Sequence, residues 1–110
     1  MSSDRLEAEV AANLDRSFEP GDAIFAATDT LAIASLARLK ALGIAVPDQV
    51  RIVGFDDLPL AAQTTPPLTT VRQEIRAGAF AMVDLLIRRI SGEDTESIVM
   101  PPHLIGRHSG

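Results

Sequence analysis

Apolar residues recur along this chain at two periods, and the switch between the periods sets out its elements. Leu6, Val10 and Leu14 fall four apart, which predicts a helix over about 5–16. Asp4 followed by Glu7 has capping-box character at its start. Pro20-Gly21-Asp22 reads as a turn. The apolar run over 23–27 is then expected as a strand buried on both faces. Thr28-Asp29-Thr30 ends that strand with side-chain oxygens suited to capping. A helix over 31–42 follows and stops at Gly43, a fitting residue just past a helix end. This helix is apolar nearly all round, so more than one of its sides is expected to be covered, one by a sheet and another by a second subunit.

A turn over 45–50 feeds a strand over 51–55. Strand, helix and strand make a βαβ unit, whose strands are expected to be parallel with a right-handed crossover. Residues 58–67 read as loop and 68–71 as extended. Ile75, Ala79, Met82, Val83, Leu86, Ile87 and Ile90 fall on one face of a helix over 75–90. After an acidic turn, 97–100 reads as a strand and 103–105 as a last extended piece. The class is α/β with a parallel sheet.

Parallel strands point their carboxyl ends the same way, and ligands of open α/β sheets bind beyond those ends. Thr28-Asp29 and Asp56-Asp57 therefore lead as ligand candidates. Gln73 joins them as the residue that closes the second extended piece, so Asp56 and Gln73 are expected to share one small-molecule cleft. The acidic pair admits three readings. It is a solvated turn, a Mg²⁺ site with help from Asp29, or a carboxylate that accepts from ligand hydroxyl or N–H groups. Capping is the bland role for Thr28, Asp29 and Thr30, and a surface position that for Gln73.

Composition narrows the chemistry. Hydrophobic residues are 46% and charged residues 23% of 110, as in an ordinary globular domain. The net charge of -5 and the scattered arginines make a poor grip on a phosphate backbone, and aromatics at 4% make a poor base-stacking surface. With no cysteine there is no disulfide, thiol nucleophile or cysteine-based zinc site. His103 and His108 lack metal spacing, and there is no G-x-S-x-G, G-x-G-x-x-G or P-loop. No catalytic residue, metal ligand or cofactor is expected. The polar start reads as no secretory signal, and the longest apolar stretch is too short to span a bilayer, so the expected location is cytoplasmic.

Four stretches together carry a resemblance: I-F-A-A-T-D-T-L-A-I-A-S-L, G-I-A-V-P-D-Q-V-R-I-V-G-F-D-D, T-P-P-L-T-T-V-R-Q and L-L-I-R-R-I-S-G-E. They resemble the C-terminal part of the effector-binding domain of LacI/GalR-family transcriptional regulators, along nearly the whole chain. The resemblance implies a Rossmann-like lobe of a type I periplasmic-binding-protein-like fold, present as a fragment. Residues 1–67 would form the βαβ segment of the C-lobe, 68–96 the crossover and a helix of the other lobe, and 97–110 the returning strands. It also implies that Asp56 binds the effector, a sugar or related molecule, with Gln73 as a second polar contact and Ile75 as an apolar wall. Thr28 stands where the family usually has Asn. Asp29 matches the family Asp beside that position, and Asp29 and Asp57 are expected as helix cap or as support behind the contacts. Glu74 replaces a frequent Pro.

The helix over 31–42 resembles one that helps form the family homodimer. DNA would be reached only through an N-terminal region that has no counterpart here. The expected chain is thus a fragment or truncated product, binding ligand weakly or not at all by itself, with a partner chain covering the helix over 75–90. Two alternatives stay open: a transporter's sugar-binding protein, and a Mg²⁺-dependent phosphoryl-transfer domain using Asp29, Asp56 and Asp57.

Overall fold

The computed structural model describes residues 3–15 and 18–110. Helix α1 spans Ser3–Leu14. It begins before the expected start, so Asp4 lies inside the first turn, where a carboxylate acts on the helix dipole rather than as a cap. The expected end at Arg16 falls outside the described residues. Strand β1 is Asp22–Phe25, helix α2 Asp29–Ala41 and strand β2 Val50–Val53. A 3₁₀ turn, Pro59–Gln63, sits in the stretch read as loop, with its proline at the start where a missing N–H costs nothing. Strand β3 is Thr70–Arg72, helix α3 Ile75–Ile90 and strand β4 His103–Ile105. The stretch over 97–100 is not a strand. Its alternation is weak, and Ile98, Val99 and Met100 are all exposed, so nothing rewards pairing there.

The chain divides into two units, one of residues 1–72 with 104–110 and one of 73–103. In the first, β1 and β2 are parallel, with Asp22 opposite Val50 and Phe25 opposite Val53. On the edge away from β1, β2 and the residues just after it are bonded at alternate positions. The Ile52 N–H donates to Ser109 O, Gly54 N–H to Thr69 O and Asp56 N–H to Val71 O, at 2.8, 2.9 and 2.9 Å. A parallel bridge between Val53 and Thr69 lies within this edge. Ser109 also completes it through its side chain, which donates to Ile52 O and accepts from Thr69 N–H.

One face of this small sheet carries the core. Ile52, Ala32, Leu36, Ala26, Ala61 and Leu68 pack together, and Val50 with Leu39 meets Val10 and Leu14 of α1. The bidentate pair of Arg38 with Asp15, at 2.8 and 2.6 Å, ties α2 to the end of α1. The opposite face is open over most of its area: Phe25 is 67% exposed and Arg51 is exposed, while Val53 is partly covered. The expectation of a strand buried on both faces therefore fails for β1, because both helices of the unit serve the Ile24 side.

The second unit consists of α3 and the chain that follows it. No residue of α3 is buried. The helix bounds match the periodicity, yet Ile75, Phe80, Met82, Val83, Leu86, Ile87 and Ile90 are exposed. The unit is laced by polar contacts, Arg88 with Glu93 and Arg89 with Thr95. Among the described residues no helix is long and apolar enough to cross a membrane.

Candidate functional site

The carboxyl ends of β1 and β2 lie side by side. Ala26 N–H donates to Val53 O and Asp29 N–H to Phe55 O, both at 2.8 Å. The loop after β1 and the acidic turn after β2 therefore start from one place, as the parallel geometry requires.

Thr28 is the N-cap of α2. Its backbone is extended and its Oγ1 accepts from Leu31 N–H at 3.2 Å. That corrects the assignment of the cap to Asp29, which lies inside the helix. The Asp29 carboxylate turns inward instead, and the residue is fully buried. Its Oδ1 accepts from the Thr70 hydroxyl at 2.5 Å and its Oδ2 from Leu58 N–H at 2.7 Å. Burying a carboxylate is costly unless donors meet it, and here both oxygens are met. Asp29 thus clamps β3 and the chain beyond the acidic turn to the start of α2. It also explains Gly54: a Cβ there would collide with Asp29 Oδ1 and come within 3.2 Å of the Ala32 Cβ.

Between these clamps the backbone takes an unusual course. Asp56 has φ +126° and Asp57 φ +55°. Asp tolerates the second value, but the first is rare for any residue with a Cβ, and each costs about 1–3 kcal/mol. The turn persists because it is held at each step. Asp56 N–H binds Val71 O, Asp57 N–H reaches Thr70 Oγ1 at 3.3 Å, and Leu58 N–H binds Asp29. The Asp57 carboxylate is held by Arg107 at 2.9 Å and lies 3.7 Å from Arg72. Asp57 is therefore neither a cap nor a free acid but the anchor of the turn.

Asp56 differs from both its acidic neighbours. It is exposed, and no side-chain hydrogen bond to its carboxylate is found among the described residues. Of the carboxylates at these strand ends it alone has its lone pairs free for a ligand. Asp29 and Asp57, with N–H, O–H and guanidinium donors already on them, make poor Mg²⁺ ligands, and a cation beside Arg107 would be repelled. Gln73 and Ile75 belong to the second unit, where Gln73 is exposed and Ile75 is 69% exposed. Gln73 follows by two residues the Val71 carbonyl to which Asp56 is bonded.

Three residues of the site escape a reading of the sequence. Thr70 carried a signal, since it shares the face of buried Leu68, and a polar residue on a buried face needs a partner. Arg107 and Ser109 carried none, because their partners lie 39 to 57 residues away.

A family model described as a periplasmic binding protein-like domain matches residues 2–110. The HTH-type transcriptional regulator CelR of Thermobifida fusca is 43% identical over 91 residues, which is 81% of this chain and 27% of that protein. The lactose operon repressor of Rhizobium radiobacter is 36% identical over 89 residues, 80% of this chain and 79% of that sequence. Among solved structures, a complex of the transcriptional regulator CelR with cellobiose superposes with a TM-score of 0.80 at 40% identity, covering 97% of this chain and 33% of that one.

Proposed function

The chain belongs to the LacI/GalR family of transcriptional regulators, within their periplasmic-binding-protein-like domain, and we propose that it forms the effector-sensing and dimerisation part of a sugar-responsive regulator. The observation that carries this reading is the Asp56 carboxylate, exposed and unpartnered on a turn held from behind by Asp29 and Asp57. A carboxylate so placed accepts hydrogen bonds from the hydroxyls of a sugar, and such charge-assisted bonds are about twice as strong as neutral ones. Gln73 supplies a second polar contact and Ile75 an apolar wall. Thr28 accepts from Leu31 N–H and keeps its hydroxyl proton to donate.

The effector draws two lobes together around Asp56. Closure alters the geometry of a homodimer and so its affinity for DNA, which is reached through parts of the regulator beyond this segment. Effector and DNA then favour different states of one dimer, which is what makes the coupling allosteric. The dimer surface includes the outer side of α2. Ile33, Ala34, Ala37 and Ala41 there line a hollow of about 490 Å³ with Leu6 and Val10 of α1 and with Leu58 and Leu60. Such a regulator works in the cytoplasm and performs no catalysis.

The test is Asp56→Ala in an intact regulator carrying this segment, with cellobiose as the first effector tried, since the CelR complex holds it. Loss of the effector response with operator binding spared is the expected result. A retained response removes Asp56 from the site.

A further inference from the structure

We propose that Arg107 is the positioning residue of the acidic turn, acting through Asp57 to hold Asp56 in the conformation that presents its carboxylate. This rests on the reading of Asp56 as the effector contact and adds the residue that prepares it.

The Arg107 guanidinium is forked. Nη1 donates to Leu68 O at 2.8 Å and Nη2 to Asp57 Oδ1 at 2.9 Å, while the Arg107 N–H donates to Thr69 Oγ1 at 2.9 Å. Both charged side chains are largely covered, at 20% exposure for Arg107 and 13% for Asp57. Arg72 approaches the same carboxylate only at 3.7 Å and is half exposed, so Arg107 is the tighter hold.

Two consequences follow. A turn with two positive φ values relaxes unless its surroundings over-determine it. Apart from the more distant Arg72, the other restraints act on backbone N–H groups, at Asp56, Asp57 and Leu58. Arg107 is the nearer of the two guanidiniums on the side chain next to Asp56, at 2.9 Å against 3.7 Å for Arg72. Second, two adjacent carboxylates repel, and a guanidinium on one of them leaves Asp56 as the single negative charge offered outward. A lysine is a point charge and cannot span the carbonyl and the carboxylate with a fixed fork.

Amide hydrogen exchange on this chain tests the proposal. Arg107→Gln is expected to speed exchange of the Asp56 and Asp57 amides by about tenfold, with Leu39 and Ile52 unchanged, because the opening is local. Asp57→Asn should do the same, and the double variant should do no more than either single one, as residues acting in series behave. Arg107→Lys should recover only part of the protection. Unchanged exchange at Asp56, additive effects, or a rise that Leu39 and Ile52 share would each overturn the proposal. If Arg107→Gln does not fold, Asp57→Asn decides on the same amides.

In an intact regulator, Arg107→Gln should weaken cellobiose binding about tenfold, one step of about 1.4 kcal/mol, and leave effector-free operator affinity unchanged. Unaltered cellobiose affinity would also overturn the proposal. A wild-type regulator indifferent to cellobiose would count against the effector reading, and amide exchange would still decide the role of Arg107.

Discussion

The two units of this chain use the same residue types to opposite effect. In the first, α2 buries Ala32, Leu36 and Leu39 against Ile52 and Val50, and its polar groups meet partners wherever the chain turns. In the second, α3 has the cleaner apolar stripe and buries none of it. Ile90 is 78% exposed and Phe80 71%. An amphipathic pattern states that a face must be covered, and is silent on whether the cover belongs to the same segment of chain. The first unit has a sheet behind its helix. The second has a helix with no such cover among the described residues.

That contrast can be broken or sharpened by measurement, and the largest effect is expected at Asp29. Asp29→Ala strands the Leu58 N–H and the Thr70 hydroxyl inside the first unit and should cost about 2–6 kcal/mol, at about 1–3 for each unmet donor, read as a fall in thermal midpoint. A loss under 1 kcal/mol, about the scale of an ordinary neutral hydrogen bond, would mean that the clamp is not what holds the acidic turn.

Next comes a matched pair of truncations. Leu39→Ala should cost about 2–5 kcal/mol, as buried leucines do. Leu86→Ala on α3 should stay within about 0.5 kcal/mol, as exposed substitutions do. If the second costs as much as the first, a partner chain covers α3 in solution. Sedimentation at micromolar concentration should then show a dimer that Leu86→Ala weakens, whereas a monomer would leave the face bare.

Smaller effects probe the edges of the first unit. Thr28→Ala removes the cap of α2 and should lower stability by about 1 kcal/mol in chemical denaturation. Asp29→Asn, which keeps the clamp's shape, provides a control for it. Arg38→Gln removes the pair with Asp15 and should cost less than about 1 kcal/mol, because both groups are partly exposed. A larger loss would show that α1 depends on that pair more than on Val10 and Leu14.

Much of the fold was legible because it rests on local pattern. The bounds of α3 follow from its 3.6-residue period, and the βαβ unit with parallel strands follows from a helix between two short apolar runs. The placing of Thr28-Asp29 beside the acidic turn follows from that parallelism. The cap was legible as a choice among three neighbours but not as Thr28, since the choice depends on where Asp29 finds donors. The free face of β1 was not legible, because a run such as Ala23-Ile24-Phe25 looks the same with one side covered or two.

What the sequence by itself determined is the order of the helices and of the first two strands, the parallel pairing of those strands, and a short list of polar groups at the strand ends. These depend on residues a few positions apart. Only the tertiary structure decided which of three carboxylates is left free. Asp29 is occupied by Thr70 and Leu58, Asp57 is occupied by Arg107, and Asp56 is turned outward. The partners come from up to 50 residues away, and the cost of leaving a buried charge unmet selects among them without any mark in the local sequence.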